Sequence, residues 1–151
     1  MTRPDWIRAR VLAGDSSLRV KSVLETFGLN TVCSEADCPN RGECWQKGNA
    51  TFMILGDICT RNCSFCNVKK GVPSPPDHGE PEKIAEAVKE LGIDYAVITS
   101  VTRDDLSDFG SGHFVKTVIS LKRSRPDVSV ELLIPDFAAE KPLLDKVSFS
   151  G

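Results

Sequence analysis

The chain has 151 residues, 40% hydrophobic, 26% charged and 7% aromatic, with a formal net charge of -2 from 19 basic and 21 acidic residues. That is about one domain's worth of sequence, on a prior of ~100–200 residues per domain, with enough apolar content to build a core. The charge balance gives no case for nucleic acid or an anionic membrane and no apolar run approaches the ~18–20 residues of a membrane span. Asp5, Arg8 and Arg10 around Trp6 are not signal-peptide sequence, so a cytoplasmic, reducing compartment is expected.

Pro4-Asp5-Trp6 reads as a helix start for a short segment carrying Ile7 and Val11, with Trp6 as a surface staple. In residues 18–27, Val20, Val23, Leu24 and Phe27 fall at the spacing of one buried helical face, and Gly28 supplies the stop. Residues 29–50 hold three cysteines among Gly, Asn, Pro and Asp and read as irregular loop, with a turn of helix at 43–47. Residues 51–55 are a short apolar run ended by Gly56, the pattern of a strand buried on both faces. Residues 67–81 are dense in Gly and Pro and read as loop.

A helix starts at Pro81, whose missing N–H would be unpaired in a first turn anyway, and runs through Ile84, Ala85, Val88 and Leu91 to Gly92. Residues 95–99 read as a second buried strand, followed by the polar loop Thr102-Arg103-Asp104-Asp105. Phe114, Val115, Val118, Ile119 and Leu121 mark a second helix capped near Ser111, and 128–134 a third strand broken by Pro135. Beyond Phe137, with Pro142 in mid-segment, no further strand–helix repeat is expected. Strands alternating with helices predict βαβ units and a parallel sheet.

All six cysteines lie between Cys33 and Cys66. A disulfide framework belongs to secreted, core-poor chains, and the apolar patterning after Cys66 builds a core without staples. Cys59-Thr60-Arg61-Asn62-Cys63-Ser64-Phe65-Cys66 is a C-x3-C-x2-C just past the carboxyl end of a buried strand, the edge where ligands collect in parallel α/β folds. Three thiolates hold three corners of an iron–sulfur cubane and leave its fourth iron open. Structural zinc wants four ligands in two short pairs, whereas only Cys63 and Cys66 form a C-x2-C, and His78 sits on a proline-rich loop as a solvated side chain. The bacterial ferredoxin run is absent, and a thioredoxin-like pair has no third neighbour. Spacing therefore favours a cluster.

With Phe65 before its last cysteine, this trio resembles the signature of the radical S-adenosylmethionine enzymes. The resemblance implies a 4Fe-4S cluster on Cys59, Cys63 and Cys66, with S-adenosylmethionine on the open iron. One electron then cleaves the sulfonium to a 5'-deoxyadenosyl radical, which abstracts hydrogen from unactivated carbon. The other trio, Cys33-x4-Cys38-x5-Cys44 in the stretch from Cys33 to Trp45, resembles the auxiliary-cluster motif of the lipoyl synthase family. Met53-Ile54-Leu55-Gly56-Asp57-Ile58-Cys59-Thr60-Arg61, Thr99-Ser100-Val101-Thr102-Arg103-Asp104-Asp105-Leu106 and Leu133-Ile134-Pro135-Asp136-Phe137 are similar to it too.

That likeness implies a second 4Fe-4S cluster on Cys33, Cys38 and Cys44, consumed as the donor of two sulfur atoms to carbons 6 and 8 of an octanoyl chain. The implied partners are octanoylated lipoyl carrier proteins (2-oxoacid dehydrogenase acyltransferase subunits and the glycine cleavage H protein) and an electron donor such as flavodoxin or ferredoxin. The implied fold is α/β, a radical SAM partial TIM-type barrel whose first three β/α units occupy 51–137. An N-terminal cluster-binding extension, 1–50, precedes it and a divergent tail, 138–151, follows. The family's Arg-Ser-Ser-Tyr motif, whose serine is the auxiliary cluster's fourth ligand, is absent. The expectation is therefore a truncated synthase with an open sheet edge and little or no activity alone.

Thr99, Ser100, Arg103 and Asp105, at the end of the second strand, are the candidates for S-adenosylmethionine contact, set against a role in capping and ion pairing. Gly110-Ser111-Gly112-His113 precedes a helix and offers backbone N–H groups to a carboxylate, with His113 itself read as structural. Lys69 and Lys70 would suit an acidic carrier, although paired loop lysines are usually only solvated. The competing reading is a two-cluster electron-transfer or binding module without radical chemistry.

Overall fold

A computed structural model describes residues 14–150, so the helix start expected at Pro4-Asp5-Trp6 lies outside the described residues. Helix α1 (Asp15–Phe27) starts earlier than its apolar face alone predicts and places an acidic residue in its first turn, where the helix dipole favours it. Gly28, at φ 62, ends it as expected, its N–H returning to the carbonyls of Glu25 and Leu24.

Residues 29–50 form the turn of helix expected near 43–47 and correct the rest of the expected loop with one further short helix. In α2 (Val32–Glu35) the Thr31 hydroxyl accepts the Ser34 N–H at 3.2 Å, a local cap that fixes the turn. Cys33 on α2 and Trp45 on α3 (Arg41–Gln46) are buried in the common core, and that burial holds segments too short to be stable alone.

Strand β1 (Thr51–Ile54) stops one residue short of the expected run, because Leu55 turns into the left-handed region at φ 70 and Gly56 follows at φ 96. The chain then forms β2 (Ile58–Cys59), which pairs in parallel with β3 (Lys69–Lys70) in a separate two-stranded sheet. The first residues of the stretch read as loop are therefore paired. Helix α4 (Glu80–Leu91) carries Pro81 in its first turn and ends at Gly92 in the left-handed conformation, as the sequence predicts.

Strand β4 (Tyr95–Ser100), helix α5 (Ser111–Ser124) and strand β5 (Ser129–Leu133) complete a parallel three-stranded sheet of order β1–β4–β5. Register runs from Thr51 opposite Val97 to Ile54 opposite Ser100, and from Tyr95 opposite Ser129 to Thr99 opposite Leu133. The architecture is mixed α/β with a parallel sheet, as expected.

Phe52, Ile54, Ala96 and Ile98 share one sheet face and are fully buried in a core with Ile84, Val88, Phe114 and Leu121. The alternate residues of β4 and β5 tell a different story, since Tyr95 is 56% and Leu133 50% exposed. The second strand is thus buried on one face only, because among the described residues no second layer covers Tyr95 and Leu133.

The segment after Phe137 also corrects expectation. A 3-10 turn (Phe137–Ala139) leads into helix α6 (Lys141–Ser148), with Pro142 in its first turn. Pro142 opens a helix there instead of interrupting one, for the same reason as Pro81. Val147 and Phe137 seat this unit in the core, Phe137 and Phe114 meeting edge to face at a ring separation of 5.9 Å. Among the described residues, no helix is long and apolar enough to cross a membrane.

Candidate functional site

The carboxyl end of β1 launches the second cysteine trio. The left-handed Leu55-Gly56 turn redirects the chain into β2, and Cys59 is fixed there by the pairing of β2 with β3, the Gly71 N–H donating to its carbonyl at 3.0 Å. The Arg61 N–H reaches the Cys59 sulfur at 3.4 Å, and the Cys66 N–H closes a turn onto the Cys63 carbonyl at 3.2 Å. Cys63 is exposed and Cys59 and Cys66 half-buried, so the thiols lie at the surface.

Cys33, Cys38 and Cys44 are linked through backbone turns, with the Cys38 N–H on the Cys33 carbonyl at 3.3 Å and the Arg41 N–H on the Cys38 carbonyl at 3.2 Å. Burial pushes the Cys44 thiol above its usual value, and the neighbouring Cys33 and Cys38 thiols push it further. A cavity of about 160 Å³, lined by Cys33, Cys44, Thr51, Tyr95 and Val97, sets two of these cysteines against the less covered face of the sheet.

The two trios occupy neighbouring loops. Asn67, next to Cys66, reaches Asp37, next to Cys38, at 3.4 Å, and the Lys69 ammonium lies 2.8 Å from Asp57 and 3.7 Å from Glu35. Lys69 thereby bridges these loops while its side chain stays 66% exposed.

Among the described residues, no three His, Cys, Asp or Glu side chains gather as the ligands of one metal ion. A single zinc needs all its sulfurs ~2.3 Å from one point, whereas in a cubane each thiolate binds a different iron and the sulfurs stand wider apart. All-thiol donor sets on two loops, with an N–H directed at one sulfur, suit iron–sulfur clusters and not hard cations.

The expected cofactor contacts divide. Thr99 shares the sheet face of Tyr95 and Val97; its hydroxyl donates to the Leu133 carbonyl at 2.8 Å and keeps its acceptor lone pairs. Ser100 is on the opposite parity, and its buried hydroxyl has no partner among the described residues. Arg103 is only 1% exposed; its fork grips Asp105 through two 2.8 Å bonds, and a third N–H donates to the Leu55 carbonyl at 3.1 Å. Arg103 and Asp105 therefore brace the turn that aims the trio. Arg103 holds the Asp105 carboxyl below the usual carboxylate range against the opposing effect of burial.

The backbone N–H groups expected at Gly110 and Gly112 for a carboxylate are occupied by the chain's own Asp108, at 3.1 and 2.9 Å. Helix α5 starts at Ser111 as expected, with Gly110 at its N-cap and the Asp108 carboxylate accepting a first-turn N–H. His113 is structural, buried with its Nε2 2.7 Å from Glu80 Oε2.

Sequence reasoning did not single out Glu80, whose carboxylate also accepts the Leu55 N–H at 2.8 Å. It likewise passed over Thr60, Arg61, Asp104 and Asp136, which join the cluster loop to the ends of β4 and β5. The Glu80-Pro81 start of α4 is the one local signal, and it reads equally as a carboxylate favoured by the helix dipole.

Residues 53–148 match the Radical SAM superfamily. The match runs past residue 137, where the motif resemblance ends, and takes in α6. The chain is 52% identical over 145 residues to a lipoyl synthase of Caldicellulosiruptor saccharolyticus, covering 96% of this chain and 51% of the relative. It is 49% identical over 157 residues to a mitochondrial lipoyl synthase of Populus trichocarpa, covering 100% of this chain and 41% of the relative. Against a lipoyl synthase of Halobacterium salinarum it is 48% identical over 153 residues, covering 99% of this chain and 49% of the relative. The chain spans about half the length of the relatives it matches. With a cysteine trio on the turn after β1 and a match over 53–148, the chain belongs to the radical SAM superfamily, and it is similar to lipoyl synthases over nearly its whole length.

Proposed function

We propose that this chain carries the cluster-binding chemistry of a lipoyl synthase. The observation that supports this most directly is the lacing of the two cysteine trios onto neighbouring loops by the Asn67–Asp37 contact, at one sheet. Cys59, Cys63 and Cys66 are read as the ligands of the cluster that binds S-adenosylmethionine, and Cys33, Cys38 and Cys44 as those of an auxiliary cluster. When bound, the first supplies the electron for reductive cleavage of S-adenosylmethionine and the second supplies sulfur to the octanoyl chain.

The chain's own residues do the positioning. Arg103, Asp105 and Glu80 fix the Leu55 peptide and so the direction of the cluster loop. Thr99 offers a hydroxyl at the carboxyl edge of β4, where a ligand of a parallel sheet is expected. Unactivated C–H bonds resist acid–base chemistry, and proximity of a sulfur source to the carbon radical replaces diffusion, so two trios side by side are what the reaction needs.

On this reading β1, β4 and β5, with α4, α5 and α6, are the first three β/α units of a partial barrel, and residues 1–50 are the auxiliary-cluster extension. The substrates are octanoylated lipoyl carrier proteins, the reductant a flavodoxin or ferredoxin, and the setting cytoplasmic. The test is anaerobic reconstitution with iron and sulfide, followed by S-adenosylmethionine and dithionite. The expected result is iron for two clusters and an EPR signal perturbed by S-adenosylmethionine, that perturbation being lost in Cys63→Ala. Two intact clusters indifferent to S-adenosylmethionine would instead identify an electron carrier. The chain alone is expected to leave octanoylated carrier protein unchanged or nearly so, and a gain of the mass of two sulfur atoms would overturn that expectation.

A further inference from the structure

Thr60 and Arg61 lie between the first two cysteines of the C-x3-C-x2-C loop, and both tie that loop to the strand ends beside it. The Thr60 N–H and hydroxyl donate to the Thr102 carbonyl at 3.1 and 3.0 Å. Arg61 Nε and Nη2 grip the Asp104 carboxylate at 2.8 and 2.7 Å, and Nη1 reaches Asp136 at 2.8 Å. The other Asp136 oxygen accepts the Ala138 N–H at 3.2 Å, at the start of a run in which Phe137, Ala138 and Ala139 all have positive φ. One guanidinium thus spans three loops, with partners 43 and 75 residues away in sequence.

We propose that Arg61 is a positioning residue for the cluster loop: it clasps the loops after β4 and β5, fixes Cys59 and Cys63 against them, and sets one positive and two negative charges beside the cluster. The inference rests on the reading of Cys59, Cys63 and Cys66 as cluster ligands. An ordinary surface pair contributes only ~0–1 kcal/mol, but a fork on one carboxylate with a third donor on another is directional and shared across loops. The arms differ, since Asp104 is held by two bonds whereas Asp136 is held by one and is 58% exposed. Asp104 is the fixed arm and Asp136 the looser one.

Geometry and charge give separable effects. Loss of either side of the clasp loosens the loop. Loss of the Asp136 negative charge makes an added electron on the cluster more favourable, whereas loss of the Arg61 positive charge makes it less so.

The test compares wild type, Asp136→Asn, Arg61→Gln and Arg61→Lys, each as the full chain reconstituted anaerobically with iron and sulfide, with far-UV circular dichroism as the check on folding. Hydrogen exchange is followed in peptides covering 57–66, and the midpoint potential is read from the EPR signal that S-adenosylmethionine perturbs. Asp136→Asn and Arg61→Gln both speed exchange, by about threefold or more, the scale of a lost surface contact. Their potentials move in opposite directions, up for Asp136→Asn and down for Arg61→Gln. Arg61→Lys keeps the charge and loses the fork, so it exchanges like Arg61→Gln while its potential stays near wild type.

Unchanged exchange in 57–66, or potentials that move the same way, overturns the proposal. A wild-type chain that takes up no iron on Cys59, Cys63 and Cys66 refutes the proposed function and the electrostatic part of this inference, and exchange in the iron-free chains then decides the clasp.

Discussion

Glu80 accepts the backbone N–H of Leu55 at 2.8 Å across 25 residues of sequence, and Arg103 donates to the carbonyl of the same leucine at 3.1 Å. Leu55 has φ 70, a conformation that an L-residue with a branched side chain adopts at a cost. Both of its peptide groups are therefore held by buried charged side chains from elsewhere in the chain. This bracing sets the exit from β1 and so the approach to Cys59.

Glu80→Ala leaves the buried Leu55 N–H and the His113 ring without their partner. The expected destabilisation is about 3 kcal/mol, the cost of orphaning buried hydrogen-bonding groups. Glu80→Gln keeps an acceptor for Leu55 and should lose about half as much. Urea denaturation measures both, and a Glu80→Ala variant as stable as wild type would show the turn to be held by other means.

Gly110 packs against the same leucine, and a Cβ built there falls 2.3 Å from Leu55 Cδ1 at φ 85. Gly110→Ala combines left-handed strain of ~1–2 kcal/mol with an overpacking cost of ~1–3 kcal/mol. Gly92→Ala meets open space at φ 71 and should show the strain alone. Leu55→Ala removes the clashing atom, so the double variant should be more stable than the sum of its singles, a coupling that a double-mutant cycle reads directly.

The strands, the long helices and the cysteine trio on the turn after β1 were legible because each has a local signature. Val20, Val23, Leu24 and Phe27 give helical period, Gly28 and Gly92 give stops, and C-x3-C-x2-C gives spacing. The short helix carrying Cys33 has four residues, too few for any period to show. Pro142 carries the same signal as Pro81, and Leu143, Leu144 and Val147 follow it, so α6 was open to the same reading. Glu80, Asp108 and Asp136 were illegible for a different reason. A carboxylate's role depends on which N–H or guanidinium the fold brings to it, and for Asp136 that partner is 75 residues away.

Arg103 and Asp105 predict a pH dependence. The folded Asp105 carboxyl lies below its ordinary value because two Arg103 bonds favour its charged form. A depressed folded value means that the stabilisation is fully present above the unfolded value of about 3.9 and is lost as pH falls through the folded one. The stability gap between wild type and Asp105→Asn should be flat from neutral pH to about 5 and should close below about 4. Denaturation midpoints across that range test it, and a gap that widens on acidification would reverse the sign.

Thiol reactivity counts the clusters independently of turnover. In the iron-free chain Cys63 is exposed and should alkylate first, whereas Cys33 is buried and should alkylate last. Cys44, with a thiol pushed up by burial and by Cys33 and Cys38, carries less thiolate and should lag behind Cys63. After anaerobic loading with iron and sulfide, ligation consumes the thiolates, so iodoacetamide labelling read by mass spectrometry should fall at both trios together with iron uptake. Protection of Cys59, Cys63 and Cys66 alone would leave one cluster and remove the auxiliary sulfur source, and a chelator that restores labelling at all six positions would show that metal and not oxidation had blocked them.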